Sequence, residues 1–67
     1  MLKFKDLKIG DLFVFEESQF GHGTATHHML TTHVHIKISE NEALCINLHS
    51  IKDMNYDQET NLRPIYL

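Results

Sequence analysis

His33-Val34-His35-Ile36-Lys37-Ile38 alternates throughout: every second residue is β-branched and aliphatic, and each residue before one is a histidine or a lysine. A period of two marks a half-buried strand, because successive side chains leave a strand on opposite faces. The expected orientation turns Val34, Ile36 and Ile38 toward a shared interior and His33, His35 and Lys37 toward solvent. Downstream, Ser39-Glu40-Asn41-Glu42 has the length and polarity of a hairpin connection. Ala43 to Leu48 then reads as a strand with Leu44, Ile46 and Leu48 on one face and Ala43, Cys45 and Asn47 on the other.

Upstream, Leu12-Phe13-Val14-Phe15 is apolar on both faces, as in a strand inside a sandwich or small barrel. Gly10-Asp11 before it is a turn signal. Met1 to Ile9 offers Phe4, Leu7 and Ile9 as anchors, with Phe4 and Leu7 spaced for one helical or 3₁₀ turn. Residues 17–23 read as a loop centred on Gly21-His22-Gly23, and residues 24–32 as a polar strand extension or exposed arm. Residues 49–60 are polar and turn-rich, with Ile51, Met54 and Tyr56 as intermittent apolar anchors. Leu62 to Leu67 is a closing strand that Pro64 confines to a sheet edge. The pattern predicts one all-β domain over residues 1–67. Its expected architecture is a four- to five-stranded antiparallel meander curled into a barrel or half-barrel of SH3-like size.

A chain of 67 residues buries only about 60% of the surface its unfolded form exposes. Chains this small lean on disulfides, a metal or a partner subunit. Cys45 is the single cysteine, so no disulfide forms within the chain. In the apolar run Ala43-Leu44-Cys45-Ile46 it reads as a small buried hydrophobe rather than a reactive thiol. The lone cysteine and the lack of a cationic-apolar leader point to a reducing, cytoplasmic setting. No apolar run approaches the ~20 residues that span a bilayer. The net charge of −3 argues against a nucleic-acid binder, which presents a basic face. Lys3, Lys5 and Lys8 are interleaved with Asp6 and Asp11, as on a solvated surface.

Six histidines are the compositional anomaly: His22, His27, His28, His33, His35 and His49. His33 and His35 project from one strand face, and His22, His27 or His28 brought alongside would supply a third ligand for zinc or nickel. Surface histidines with adventitious metal affinity fit the same pattern, since none sits in a His-Glu-x-x-His or Cys-x-x-Cys motif. Catalysis has little support and the chain is not expected to be an enzyme. Ser18, Ser39 and Ser50 lack a glycine-flanked elbow, and Cys45 and His49, four apart on a strand, would lie about 13 Å from one another. Phe20, beside a glycine turn, is a candidate exposed contact, although folding back onto the core suits it equally. Phe20, His22, His33, His35 and Lys37 form the expected binding surface. An unpaired C-terminal edge would invite strand addition by a second copy or another protein.

The segments FKDLKIGDLFVFE (4–16), HIKISENEALCINL (35–48) and NLRPIYL (61–67) together resemble a loose pattern in short uncharacterised proteins of bacteriophages, cyanobacteria and other bacteria. There a Phe-x-Asp-Leu-x-x-Gly-Asp-x-Phe opening precedes a Lys-Ile-Ser strand and a hydrophobic-x-Pro ending, and residues 17–32 have no counterpart. The resemblance implies a small β-barrel-like fold and, in phages, accessory roles such as counter-defence by sequestering a signalling nucleotide or blocking an effector. The expected function is stoichiometric binding of a small ligand or a host protein, by a homo-oligomer and without a cofactor. The alternative is a histidine-based zinc or nickel protein, in its strongest form a hydrolase.

Overall fold

The computed structural model describes residues 2–16 and 33–66. They form a short 3₁₀ turn, Phe4–Asp6, and five strands: β1 Leu12–Phe15, β2 His35–Ser39, β3 Glu42–Cys45, β4 Ser50–Asp53 and β5 Leu62–Ile65. The strands make one antiparallel sheet in the order β4-β3-β2-β1-β5. The first strand therefore lies between the second and the last, and the sheet stays open between β4 and β5. Fold class is all-β, as the alternation predicts.

Two tight turns lead into β1. The Asp6 carboxylate accepts the Lys3 N–H at 3.0 Å while Asp6 N–H donates to the Lys3 carbonyl at 2.9 Å. Asp11 repeats the arrangement on Lys8, with 2.8 and 3.0 Å. Aspartate suits this because its short carboxylate reaches a backbone amide three residues back. The interleaved acids are thus turn-closing residues as well as a solvated surface. Gly10 has φ 100°, which L side chains rarely adopt. Its N–H donates to the Lys37 carbonyl at 2.7 Å, and the Lys37 N–H returns a bond to Asp11 at 3.0 Å. The turn is thereby fastened to β2.

The interior lies on one face of the sheet. Phe4, Leu7, Phe13, Phe15, Ala43, Met54 and Leu62 form the core, with Leu2 packed against it. Phe4 meets Phe13 edge-on at 5.8 Å, and Phe13 meets Phe15 edge-on at 5.7 Å, a favoured aromatic geometry. Cys45 is buried, as its apolar run predicts. Of the expected anchors Phe4, Leu7 and Met54 are buried, whereas Ile9, Ile51 and Tyr56 are 66%, 60% and 94% exposed.

The facing expected for β2 is reversed. His35 and Lys37 are 0% and 5% exposed, whereas Ile36 and Val34 are half-buried and Ile38 lies at the surface. On β3 the small residues Ala43 and Cys45 are inside, and Leu44 is on the other face. The register supplies the reason. Phe13 stands opposite His35, and His35 opposite Cys45, and directly opposed residues share a face. The side that holds Phe13 and Phe15 is therefore also the side of His35 and Lys37. β3 also ends earlier than expected, at Cys45, with residues 46–49 forming the turn into β4. His49 has φ 53° in that turn. β5 is an edge strand, as Pro64 requires, and a single bridge from Leu2 to Leu62 blunts that edge.

No atom lies within 4 Å of a Cβ built on Gly10, so Gly10→Ala tests its conformation free of any clash. The substitution should lower stability by about 1–2 kcal/mol, the cost of the left-handed region for a residue with a Cβ. A urea midpoint shifted to that extent with an unchanged slope would bear this out; an unchanged midpoint would mean that the turn relaxes.

Candidate functional site

His35 and Lys37 are built into the fold. The His35 ring stacks on Phe13 at 5.3 Å with 22° between planes and meets Phe15 edge-on at 5.0 Å. Its Nδ1 is 3.0 Å from the His33 carbonyl oxygen. Lys37 threads its aliphatic stem through the core and donates from Nζ to the carbonyls of Phe4 and Leu7, both at 3.0 Å. The ammonium also lies 4.5 Å from the centre of the Phe4 ring, a distance at which the ring face attracts a cation. Phe4 opens the 3₁₀ turn and Leu7 caps its end; the Phe4 carbonyl accepts the Leu7 N–H at 3.1 Å as well as the ammonium. A buried charge is tolerable only when it is satisfied in this way.

The expected binding surface is consequently not assembled on β2. His33 is half-buried, its Nδ1 4.0 Å from the Cys45 thiol, so the cysteine meets a histidine other than His49. His33 and His35 do share a side, but it is the interior side. Phe20, His22, His27 and His28 lie outside the described residues. Among the described residues no three histidine, cysteine, aspartate or glutamate side chains are grouped to hold a metal ion.

Two other features were not legible as sites. A cleft of about 460 Å³ is lined by Lys5, Leu7, Ile9, Lys37, Asn41 and Gln58 among others. Its cationic and amide groups are largely engaged with the protein itself. Glu59 hydrogen-bonds Lys5 at 3.0 Å, and with its negative charge holds the Lys5 ammonium above the usual lysine value. Gln58 donates to the Glu40 carbonyl and the Asn41 side-chain oxygen at 3.2 and 3.4 Å. Lys37 is committed as described. The cleft has a shape but few free polar groups with which to select a ligand.

The second feature is the outer face of the sheet. Ile51 stands opposite Leu44, Leu44 opposite Ile36, Ile36 opposite Leu12, and Leu12 opposite Ile65. One aliphatic row thus crosses all five strands on the side away from the phenylalanines. Ile51 is the most exposed of the row, with Leu12, Ile36, Leu44 and Ile65 half-buried. Val14, opposite Arg63, adjoins the row on one flank but is itself buried. Exposed Ile38 continues it on the other. The sequence signal for this face was the alternation itself, read with its sign inverted.

The chain matches no protein-family model, no curated protein and no solved structure.

Lys37→Met keeps the apolar stem and removes the ammonium, taking one donor from each of the Phe4 and Leu7 carbonyls, of which Phe4 keeps the Leu7 N–H. The expected loss is about 2–3 kcal/mol, read from chemical denaturation. A change within about 0.5 kcal/mol, typical of an exposed lysine, would show that the buried arrangement contributes nothing net.

Proposed function

We propose that this chain is a binding module that acts by stoichiometric contact with another protein through the outer face of its sheet. The supporting observation is the aliphatic row Ile51–Leu44–Ile36–Leu12–Ile65, which spans the sheet without a charged residue. Contiguous exposed apolar surface is disfavoured on a small free-standing domain unless something covers it for part of the time. Scattered apolar residues such as Tyr56 need no such explanation. An aliphatic row in a fixed sheet is a different matter, because the strands hold it flat and pre-organised, which lowers the ordering cost of association.

The cleft is the weaker seat of function, since its donors are largely occupied within the protein. Contact through a sheet face also fits the accessory or counter-defence role that the resemblance implies, in which one protein occupies another without chemistry. The same surface serves blocking of an effector better than sequestration of a nucleotide, which calls for charged and polar groups on the contact surface.

An anilinonaphthalene sulfonate dye tests the reading on dilute native protein. Fluorescence should rise on mixing, and Ile51→Asp should abolish most of the rise while Tyr56→Ser, away from the row, leaves it intact. Equal dye binding by wild type and Ile51→Asp, with both retaining their β-sheet circular dichroism, would remove the outer face from consideration.

A further inference from the structure

We infer that the chain pairs with a second copy of itself along the edge of β4, by a two-fold axis through Ile51 that continues the two sheets into one. This goes beyond the outer-face reading and does not rest on it, because the groups concerned are backbone donors and acceptors at the rim of the sheet.

Among the described residues β4 and β5 are the two edges, and they are chemically unequal. Hydrogen-bonded pairs alternate along an antiparallel ladder, so one bond fixes the direction of the residues around it. The Glu16 N–H donates to the Asn61 carbonyl at 3.0 Å, which directs Arg63 and Ile65 toward β1 and turns Leu62 and Pro64 outward. The Leu62 N–H is already given to the Leu2 carbonyl at 2.9 Å, and Pro64 has no N–H to give. The outward side of β5 therefore has no donor left for an added strand. On β4 the Met54 N–H donates to the Asn41 carbonyl at 2.8 Å. The same alternation directs Lys52 toward β3 and turns the N–H and C=O of Ile51 and Asp53 outward. The Ile46 N–H bond to the Val34 carbonyl at 2.9 Å agrees, since it commits Leu44 to β2 and not to β4.

Charged side chains, lysine above all, commonly guard an edge. Here Lys52 is drawn back to Asp57 at 3.0 Å, and the Asp53 carboxylate accepts the Asn55 N–H at 2.8 Å. The middle of the edge is left to Ile51, the most exposed member of the aliphatic row.

A two-fold axis normal to the sheet keeps both outer faces on one side, and only an axis through a residue sets outward groups against outward groups. An axis through Lys52 opposes two lysines and sets Ile51 against Asp53. One through Asp53 opposes two aspartates, and directly opposed like charges destabilise a strand pair. One through Ser50 sets Ile51 against His49, which has left the extended region at φ 53° and gives its N–H to Ile46. An axis through Ile51 opposes two isoleucines, whose outward N–H and C=O exchange two bonds. It also sets Lys52 against Ser50 and brings Asp53 beside the exposed His49 of the second copy, an acid near an imidazole. Of these registers only the last opposes no like charges and pairs extended backbone with extended backbone. Because a two-fold interface uses one patch twice, the aliphatic row then runs unbroken through both copies. A four-residue edge makes a small contact, which predicts a weak and reversible dimer.

Sedimentation equilibrium of the full chain from about 10 μM to 1 mM is the test, with a dissociation constant expected on the order of 100 μM. Ile51→Pro removes the outward N–H and spares the bonds to β3, so it should leave only monomer with the circular dichroism of the wild type. Ile51→Lys and Ile51→Glu should each associate about tenfold more weakly. Their equimolar mixture should recover most of the loss, because residue 51 faces itself across the axis. Monomer throughout the wild-type series overturns the inference, as does a dimer that survives Ile51→Pro or a mixture no tighter than either variant alone. The wild-type series and the mixture decide if the proline variant fails to fold. A monomeric wild type whose dye binding still depends on Ile51 would overturn the edge pairing and keep the outer-face reading. A dimer that binds no dye would do the reverse.

Discussion

Phe13 opposite His35 is the contact on which the rest of this structure depends. Directly opposed residues on neighbouring strands share a face, so this pair sets which side of β2 is interior, and through His35 opposite Cys45 it sets the side of β3. The choice is collective. Phe4, Phe13 and Phe15 are fully buried with Met54 and Leu62 on the same side, and each phenylalanine carries more apolar surface than an isoleucine of β2. A shift of one residue in the β1–β2 register would bury the β2 aliphatics and place His35 and Lys37 outside. It would also break the bonds that tie Gly10 and Asp11 to Lys37.

Such an interior is sustainable because its polar members are satisfied or wrapped. Lys37 is amphipathic: four methylenes pack among aromatic rings while the ammonium reaches two carbonyls of the 3₁₀ turn. The lysine therefore links the N-terminal segment to the middle of the sheet and partly fulfils what a disulfide would in other domains this small. Ala43 stands opposite Lys37 and Cys45 opposite His35, so small residues on β3 face large polar ones on β2. Volume is matched across the pair, as close packing demands.

Turning the polar side inward turns the aliphatic side outward, and the functional reading follows from that exchange. Five strands present a single uncharged aliphatic row. Interior and contact surface are thus two consequences of one register. The histidine anomaly in the composition becomes partly structural: His35 packs between Phe13 and Phe15, and His33 lies against Cys45.

The all-β class, β1, β2, the hairpin turn into β3, the glycine turn and the edge position of β5 were legible in the sequence, because alternation, turn chemistry and the proline rule act locally. β4 was not, since Ser50-Ile51-Lys52-Asp53 carries one apolar residue and becomes a strand only through its pairing with β3. The outer face was visible as a pattern but misassigned in sign. A period of two divides a strand into two faces without saying which is covered; that is decided by what stands opposite on the neighbouring strand and by what packs over it. Histidine and lysine look like surface residues from sequence because the cost of burying them is intrinsic, while what offsets it comes largely from distant chain: Lys37 reaches carbonyls 33 and 30 positions away, and His35 packs on Phe13 and Phe15. Local chemistry specified the strands, and only the tertiary register decided which of their sides became the interior.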